Sequence, residues 1–533
     1  YNKLCDAPVD CASQIASDLP EDTRDTLDVL TDTLMWCHEY RAAHDIYQYM
    51  SDKGSCDVRM RLADCLRCLG NHRKAIEILE CIPVNSYGRY STLGDAYRDL
   101  GMYNEAETSF LKALQIEYNN ISVDVLTDYY GTLLATEDDR KEKVDLICTA
   151  SPDHRLKMIT VSTPSVIQCI ASLGNVYSSM KQRNTAQAYY KKSLQLIDEL
   201  YGKGAAVSHA ADTLYNQANN YRHMERYCDA EQCYALALNI YKEKSTGAGG
   251  PSIADTLNNM GLNYVLMNQY NKAKDKLSEA LSVYEEISQG ASSADIAGTL
   301  NNQGNNYRLK KQYRDAELCY IESIDLYRDI LHGTGSADLA GTLTDLGMNY
   351  NLMKEYSKAN QSYSEALSVY RDILQGAGHA IAGIHIELAY TLYKQGTNYH
   401  IMKQYSDAEK CFMEALAIYE KESHTSGTIN NKADTLSYLG SNYNLMKRYD
   451  EAEQSYCGAL GLYRQMAQGA DSIDVAVTLS NLGGNYMDKG DDNEGILKLK
   501  EALSIFQRLD PENPKIKELQ DVIASQNSYC VIL

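Results

Sequence analysis

The chain has 533 residues, with Lys+Arg 51 against Asp+Glu 72 and a formal net charge of -21. That balance excludes a binder of phosphate backbones, which needs clustered Lys and Arg, and the 44% apolar content excludes a disordered chain. With 8 prolines and 33 glycines the punctuation is too sparse for an all-β protein, while Tyr 43 against Phe 3 and Trp 1 points to a structural slot used again and again. Length alone corresponds to roughly three or four ordinary domains. No run approaches the ~20 apolar residues of a membrane span. Tyr1–Pro20 lacks the apolar run of a secretory signal, and the 15 cysteines are scattered through helical patterns, as reduced thiols of a cytosolic protein would be.

Residues 1–130 read as irregular helical repeats of short period. Tyr40–Tyr47 matches the later second-helix stretch Tyr313–Tyr320. Ala63, Leu66, Ala75 and Leu79 form one skeleton, and Gly94, Tyr97, Ala106, Phe110 and Ala113 form the next, 31 residues on. Cys65-Leu66-Arg67-Cys68 has no second pair at zinc-site spacing, so these are core cysteines of a helix. Over 131–165 the skeleton degrades. The polar run Thr136–Arg140 predicts a loop and a degenerate joint between two blocks.

From 166 to 508 the pattern is regular and predicts eight repeats. Gly174, Ala218, Gly261, Gly304, Gly347, Gly396, Gly440 and Gly483 are separated by 44, 43, 43, 43, 49, 44 and 43 residues. Such a period is the mark of a solenoid, in which each supersecondary unit buries its apolar face on its neighbours. In the unit around Gly261, Thr256, Leu257, Gly261 and Tyr264 share one face of a first helix. Ala273, Leu277, Ala280, Leu281 and Tyr284 share one face of a second. Small residues at Gly261 and Ala273 let the two helices approach, with Tyr264 expected to fill the space beside them. Connectors such as Gly247-Ala248-Gly249-Gly250 and His332-Gly333-Thr334-Gly335 carry the helix stops. Neither the first of these nor Gly376-Ala377-Gly378 follows a strand or ends in Gly-Lys-Ser/Thr, so they are not phosphate loops. The 49-residue step places six extra residues near Gly376–Ile386. In the last unit Asp491-Asp492 and Gly495 replace the expected Tyr and Ala. Residues 509–526 predict a capping helix, followed by a flexible tail over 527–533.

The Gly…Tyr…Ala…Ala skeleton, at offsets of 3, 12 and 19 from the glycine, resembles the tetratricopeptide repeat. The period near 43, and the Ala-Asp-Thr-Leu openings at Ala211, Ala254 and Ala433, resemble the extended repeats of kinesin light chains and nephrocystin-3-like proteins. The resemblance implies an all-α, right-handed solenoid of helix–turn–helix repeats whose first helices line a concave groove. Its exposed positions lie three before and one, four and five after the key small residue. Here they hold Asn175, Asn219, Arg222, Asn258, Asn301, Asn305, Arg308, Asn351, His400 and Asn444, beside Leu266, Leu309, Leu352 and Leu445. Amides both donate and accept, which suits peptide backbone, and two Arg residues in one groove suit a carboxylate.

A second asparagine precedes the repeat tyrosine at Asn220, Asn263, Asn306, Asn349, Asn398, Asn442 and Asn485. A buried amide needs partners, so these predict a hydrogen-bonded ladder between repeats, or else a ligand-facing row. The sequence offers no catalytic constellation, no metal set and no cofactor motif.

The end, Cys530-Val531-Ile532-Leu533, resembles a prenylation signal of the geranylgeranyl type. One lipid on Cys530, with no polybasic patch, gives weak, reversible membrane association. The expectation is therefore a non-enzymatic, cytoplasmic, partly membrane-associated scaffold. Its partners are proteins or extended peptides, with no nucleic acid. The alternative is the sensor arm of an NTPase-type enzyme whose catalytic domain precedes residue 1.

Overall fold

The computed structural model describes residues 47, 56–120, 149–159, 163–202, 207–244, 250–286, 293–331, 336–377, 382–421, 426–466 and 471–530. Every regular element among them is an α-helix, and two compact units divide the chain, Tyr1–Asn302 and Gln303–Leu533. The first unit holds α1 (Cys56–Cys68), α2 (His72–Glu80), α3 (Tyr87–Asp99), α4 (Tyr103–Asn120), α5 (Pro152–Met158), α6 (Pro164–Ser179) and α7 (Arg183–Tyr201). It continues with α8 (Ser208–His223), α9 (Tyr227–Lys244), α10 (Pro251–Leu266), α11 (Tyr270–Glu286) and the start of α12 (Ser293–Leu309). The second holds the rest of α12, α13 (Tyr313–Leu331), α14 (Ala337–Leu352), α15 (Tyr356–Ala377), α16 (Ala382–Ile401) and α17 (Tyr405–Lys421). After these come α18 (Ser426–Leu445), α19 (Tyr449–Met466), α20 (Ile473–Lys489), α21 (Asp492–Leu509) and α22 (Lys515–Cys530). In each unit a first helix packs on its own second helix, which packs on the next first helix: an all-α solenoid.

Local chemistry sets the helix ends. Thr163, Ser336 and Ser472 cap α6, α14 and α20 by accepting the N–H three residues on, and Pro164 and Pro251 open their helices where a missing N–H costs nothing. Inside each hairpin the stop is a Schellman turn. In α14, Glu355 N–H donates to Tyr350 O (2.9 Å) and Lys354 N–H to Asn351 O (3.0 Å), with Lys354 left-handed at φ 62°. Lys181, Glu225, Asn268, Lys311, Lys403 and Lys447 take the same conformation, and only Gly70, Gly101 and Gly490 ease it with glycine. The hairpin stop is thus made mostly without the residue that signals it in a sequence.

The key glycines meet the second helix sixteen residues later. A Cβ at Gly347 would lie 2.6 Å from the Tyr363 ring, at Gly304 2.7 Å from Tyr320 and at Gly261 2.7 Å from Leu277. Tyr264 is buried in one cluster with Ala273, the space-filling place expected of it, and the hydroxyl of this repeat tyrosine does a second job. Tyr264 donates to Glu231 (2.6 Å), Tyr350 to Glu317 (3.0 Å) and Tyr486 to Glu453 (2.8 Å), each on the preceding hairpin. A third slot closes the hairpin's open end: Tyr241 donates to Asp212 and Tyr463 to Asp434, both at 2.5 Å, as Tyr284 does to Asp255. Several hydroxyl-bearing slots per hairpin explain why Tyr so outnumbers Phe.

In the degenerate stretch, α5 buries Arg155, which donates to Tyr177 and Tyr189 (3.1 Å each), Glu107 (3.3 Å) and Ala150 O (3.0 Å). The readings of Tyr40–Ile46 and of the Thr136–Arg140 loop lie outside the described residues. The longer step shows in its helices: α15 has 22 residues and α16 has 20, against 17 in α11 and 16 in α14. Helix α22 lays Leu519 and Ile523 on Ile505 and Phe506, and it runs on through residues 527–530, the start of the expected tail. Residues 531–533 lie outside the described residues.

Candidate functional site

The asparagines before the repeat tyrosine are buried and form cross-hairpin bonds. In six of the seven, Asn306 apart, the Nδ2 donates to a backbone carbonyl at the start of the preceding second helix. Asn263 reaches Tyr227 O and Asn349 reaches Tyr313 O (2.9 Å each), Asn398 reaches Tyr356 O (3.0 Å), Asn442 reaches Tyr405 O (2.9 Å) and Asn485 reaches Tyr449 O (3.0 Å). These amides are the struts of the ladder rather than a ligand row.

In the first unit, two of the face amides also serve the fold. Asn175 Oδ1 accepts from Tyr190 (2.8 Å) and Asn219 Oδ1 from Tyr234 (2.6 Å), which leaves both Nδ2 groups without a described partner. Asn258 accepts from Asn302 (3.0 Å), and Asn301 Oδ1 is buried and unpartnered. Arg222 reaches Asn219 and Asn259 only at 3.5 and 3.4 Å, and its Nε is buried without a partner. It forms no ion pair with a described residue. Burial, with Arg183 and Arg222 nearby, holds His223 below the usual imidazole range. This is a local concentration of positive charge on an acidic chain.

The second unit is more self-contained. Arg308 donates to Asn305 (2.6 Å) and Tyr320 (3.1 Å) and stands 3.6 Å from Asp345, which also accepts from Asn305 (3.0 Å). Burial alone would lower its guanidinium, but Tyr320 and Asp345 outweigh that and hold it above its ordinary value. Arg308 is thus neutralised from within, whereas Arg222 is not. Asn351 donates to Tyr363 (3.0 Å), leaving Oδ1 buried and unpartnered. His400 shares a bond with Asn442 (3.2 Å), and Asn444 donates to Asn485 and Asp488 (3.1 and 3.0 Å). Among the described residues no three His, Cys, Asp or Glu gather as a metal site, and no helix is long and apolar enough to cross a membrane.

Profiles of the tetratricopeptide repeat match residues 87–120, 166–209, 209–286, 295–372 and 389–422. The chain carries tetratricopeptide repeats. No curated protein matches it. Among solved structures it is similar to BtubC (BKLC) from P. vanneervenii, at 18% identity over 46% of this chain and 94% of that one, with a TM-score of 0.37. It is also similar to the apo form of RapI, at 15% identity over 56% and 99% with a TM-score of 0.42. The APC/C hetero-tetramer Cut9–Hcn1 follows, at 16% over 98% and 100% with 0.40.

Two features of these tetratricopeptide repeats escaped the sequence reading. Asp345, which neutralises Arg308, lies outside the groove offsets. Lys394, pushed below its ordinary value by burial, stacks on Tyr390 (4.9 Å) and Tyr393 (4.7 Å) beside Tyr438. An alignment of the repeats on their key small residues puts Asp345 and Lys394 in one column, two before that residue, where Lys394 is the one basic side chain.

Proposed function

We propose that this protein is a non-catalytic, cytosolic scaffold that holds extended partner peptides on the concave faces of its tetratricopeptide repeats. The observation that carries this is the first unit's face, where under-coordinated amides (Asn175, Asn219, Asn301) flank Arg222, a guanidinium with no carboxylate partner among the described residues. An amide row reads backbone, and an unpaired guanidinium takes a carboxylate bidentately. Arg222→Glu should leave helicity intact and weaken capture of acidic or C-terminal peptides about tenfold or more. Unchanged binding removes Arg222 from the site. Arg308→Glu should act mainly on the fold, since it sets a second carboxylate against Asp345.

The Ala-Asp-Thr-Leu openings and the period near 43 support a place near the kinesin-light-chain group. Nine cysteines of the described helices and turns, Cys65 and Cys169 among them, are free thiols, which supports a reducing compartment. Where Leu533 ends the protein, we read Cys530 as the acceptor of a geranylgeranyl thioether that gives part-time membrane residence. Intact mass of the protein from eukaryotic cells decides this: an unmodified Cys530 with Val531–Leu533 still attached refutes it.

A further inference from the structure

In the second unit two columns follow the turn end of the first helices. Leu309, Leu352, Ile401 and Leu445, each the last residue of its helix, are 44%, 50%, 46% and 51% exposed. Two residues on, Lys311, Lys354, Lys403 and Lys447 are exposed and left-handed, at φ 62°, 62°, 61° and 62°. The unit's ion pairs go to other cations, such as Arg314, Lys358 and Arg448, and none of these four lysines makes one with a described residue.

A lysine at positive φ is strained where glycine is not, and Gly70, Gly101 and Gly490 take the same turn position elsewhere in this chain. Local stability therefore argues against lysine at all four turns. Solubility does not require it either, because the chain already carries a net charge of -21. The floor beside the columns is bonded within itself, through Arg308 with Asp345 and Asn444 with Asp488. These four lysines stand at the edge with no ion pair to a described residue, next to uncovered aliphatic surface.

We propose that this edge docks an extended peptide segment whose acidic side chains pair with the lysine column and whose aliphatic side chains lie on the leucine column. The inference rests on the peptide-holding reading above and names the chemistry of the peptide. Charge complementarity selects the occupant: a basic or uncharged segment gains nothing from the lysines. The negative charge elsewhere on the chain repels an acidic segment from other surfaces and so favours this one.

The test uses the full chain and a random peptide display library. Enriched peptides should combine Asp or Glu with Leu, Ile or Val. The quadruple variant Lys311→Gly, Lys354→Gly, Lys403→Gly, Lys447→Gly should melt at a higher temperature than wild type yet bind the enriched peptides at least about tenfold more weakly, while the matching Lys→Arg variant keeps its affinity. Unchanged affinity in the glycine variant, or enrichment of basic peptides, overturns the proposal. Lysine-dependent sedimentation with equimolar phosphatidylserine–phosphatidylcholine vesicles, with no acidic peptide enriched, overturns it in favour of a membrane surface. Binding that Arg222→Glu abolishes and the glycine variant retains removes this edge alone and leaves the concave-face reading standing. If wild type enriches no peptide, both fail.

Discussion

Single residues in this solenoid are constrained by what the neighbouring helix brings to them. Gly347 is held at glycine because a Cβ would press 2.6 Å from the Tyr363 ring, itself fully buried. At the matching position Ala218 faces Tyr234, so that hairpin has already opened enough for a methyl group. Gly347→Ala should therefore cost about 1–3 kcal/mol by overpacking, read as a lower urea midpoint with an unchanged slope. Asp434 shows the electrostatic counterpart. Burial pushes its carboxyl up, against the hydrogen bond from Tyr463, with Asp474 adding to the rise. A carboxyl raised in the fold adds stability while protonated. That contribution is complete below the unfolded value of about 3.9 and is lost as pH climbs through the raised value. Asp434→Asn, which stays neutral, should gain on wild type between pH 4 and pH 7 in thermal melts. A constant difference across that range would show that the site does not titrate as argued.

Among the elements, the hairpin is the stable piece and the joints between hairpins are where identity is decided. Within each unit the ladder amides fix first helices to the second helix before them by a bond to a carbonyl, a contact that tolerates changes in side chains around it. Helix α5 is a joint of another kind. It has only seven residues, too few to be stable alone, and it is held by the buried Arg155 reaching α4, α6 and α7. Arg155→Met should lower stability by about 3 kcal/mol, since Tyr177 and Tyr189 lose their shared donor and Glu107 its cation. The loss should appear first as faster amide exchange in α5 and α6. Equal exchange in both proteins would show that α5 is held by its apolar contacts instead.

At the scale of the whole molecule, the described hairpins within each unit pack on their neighbours in sequence, so stability is a sum of local terms. Destabilisation should stay where it is made. Gly174→Ala, whose Cβ would meet Tyr190 at 2.8 Å, should speed amide exchange in α6–α8 and leave α18–α21 unchanged. Gly440→Ala should do the reverse. Exchange rates that shift uniformly through the chain in either variant would show a single cooperative body. Such locality suits a scaffold, because a partner can order one stretch of repeats without refolding the rest.

The amino-acid sequence alone determined the periodicity, and with it the helices, their pairing and the small residue at each crossing. These follow from spacings of three and four and a period near 43, which no packing detail can undo. The sequence also placed the ladder asparagines and the amides of the first helices. Only the tertiary structure decided which groups are spent and which are left over. Arg222 and Arg308 occupy the same register, yet Asp345 from the next hairpin neutralises one and no described carboxylate reaches the other. The turn lysines were invisible for a similar reason: nothing in their spacing marks a left-handed φ, which is set by the Schellman bonds on either side. Repetition is a one-dimensional property of the chain. Charge pairing and exposure depend on distances across hairpins, which a periodic sequence leaves open.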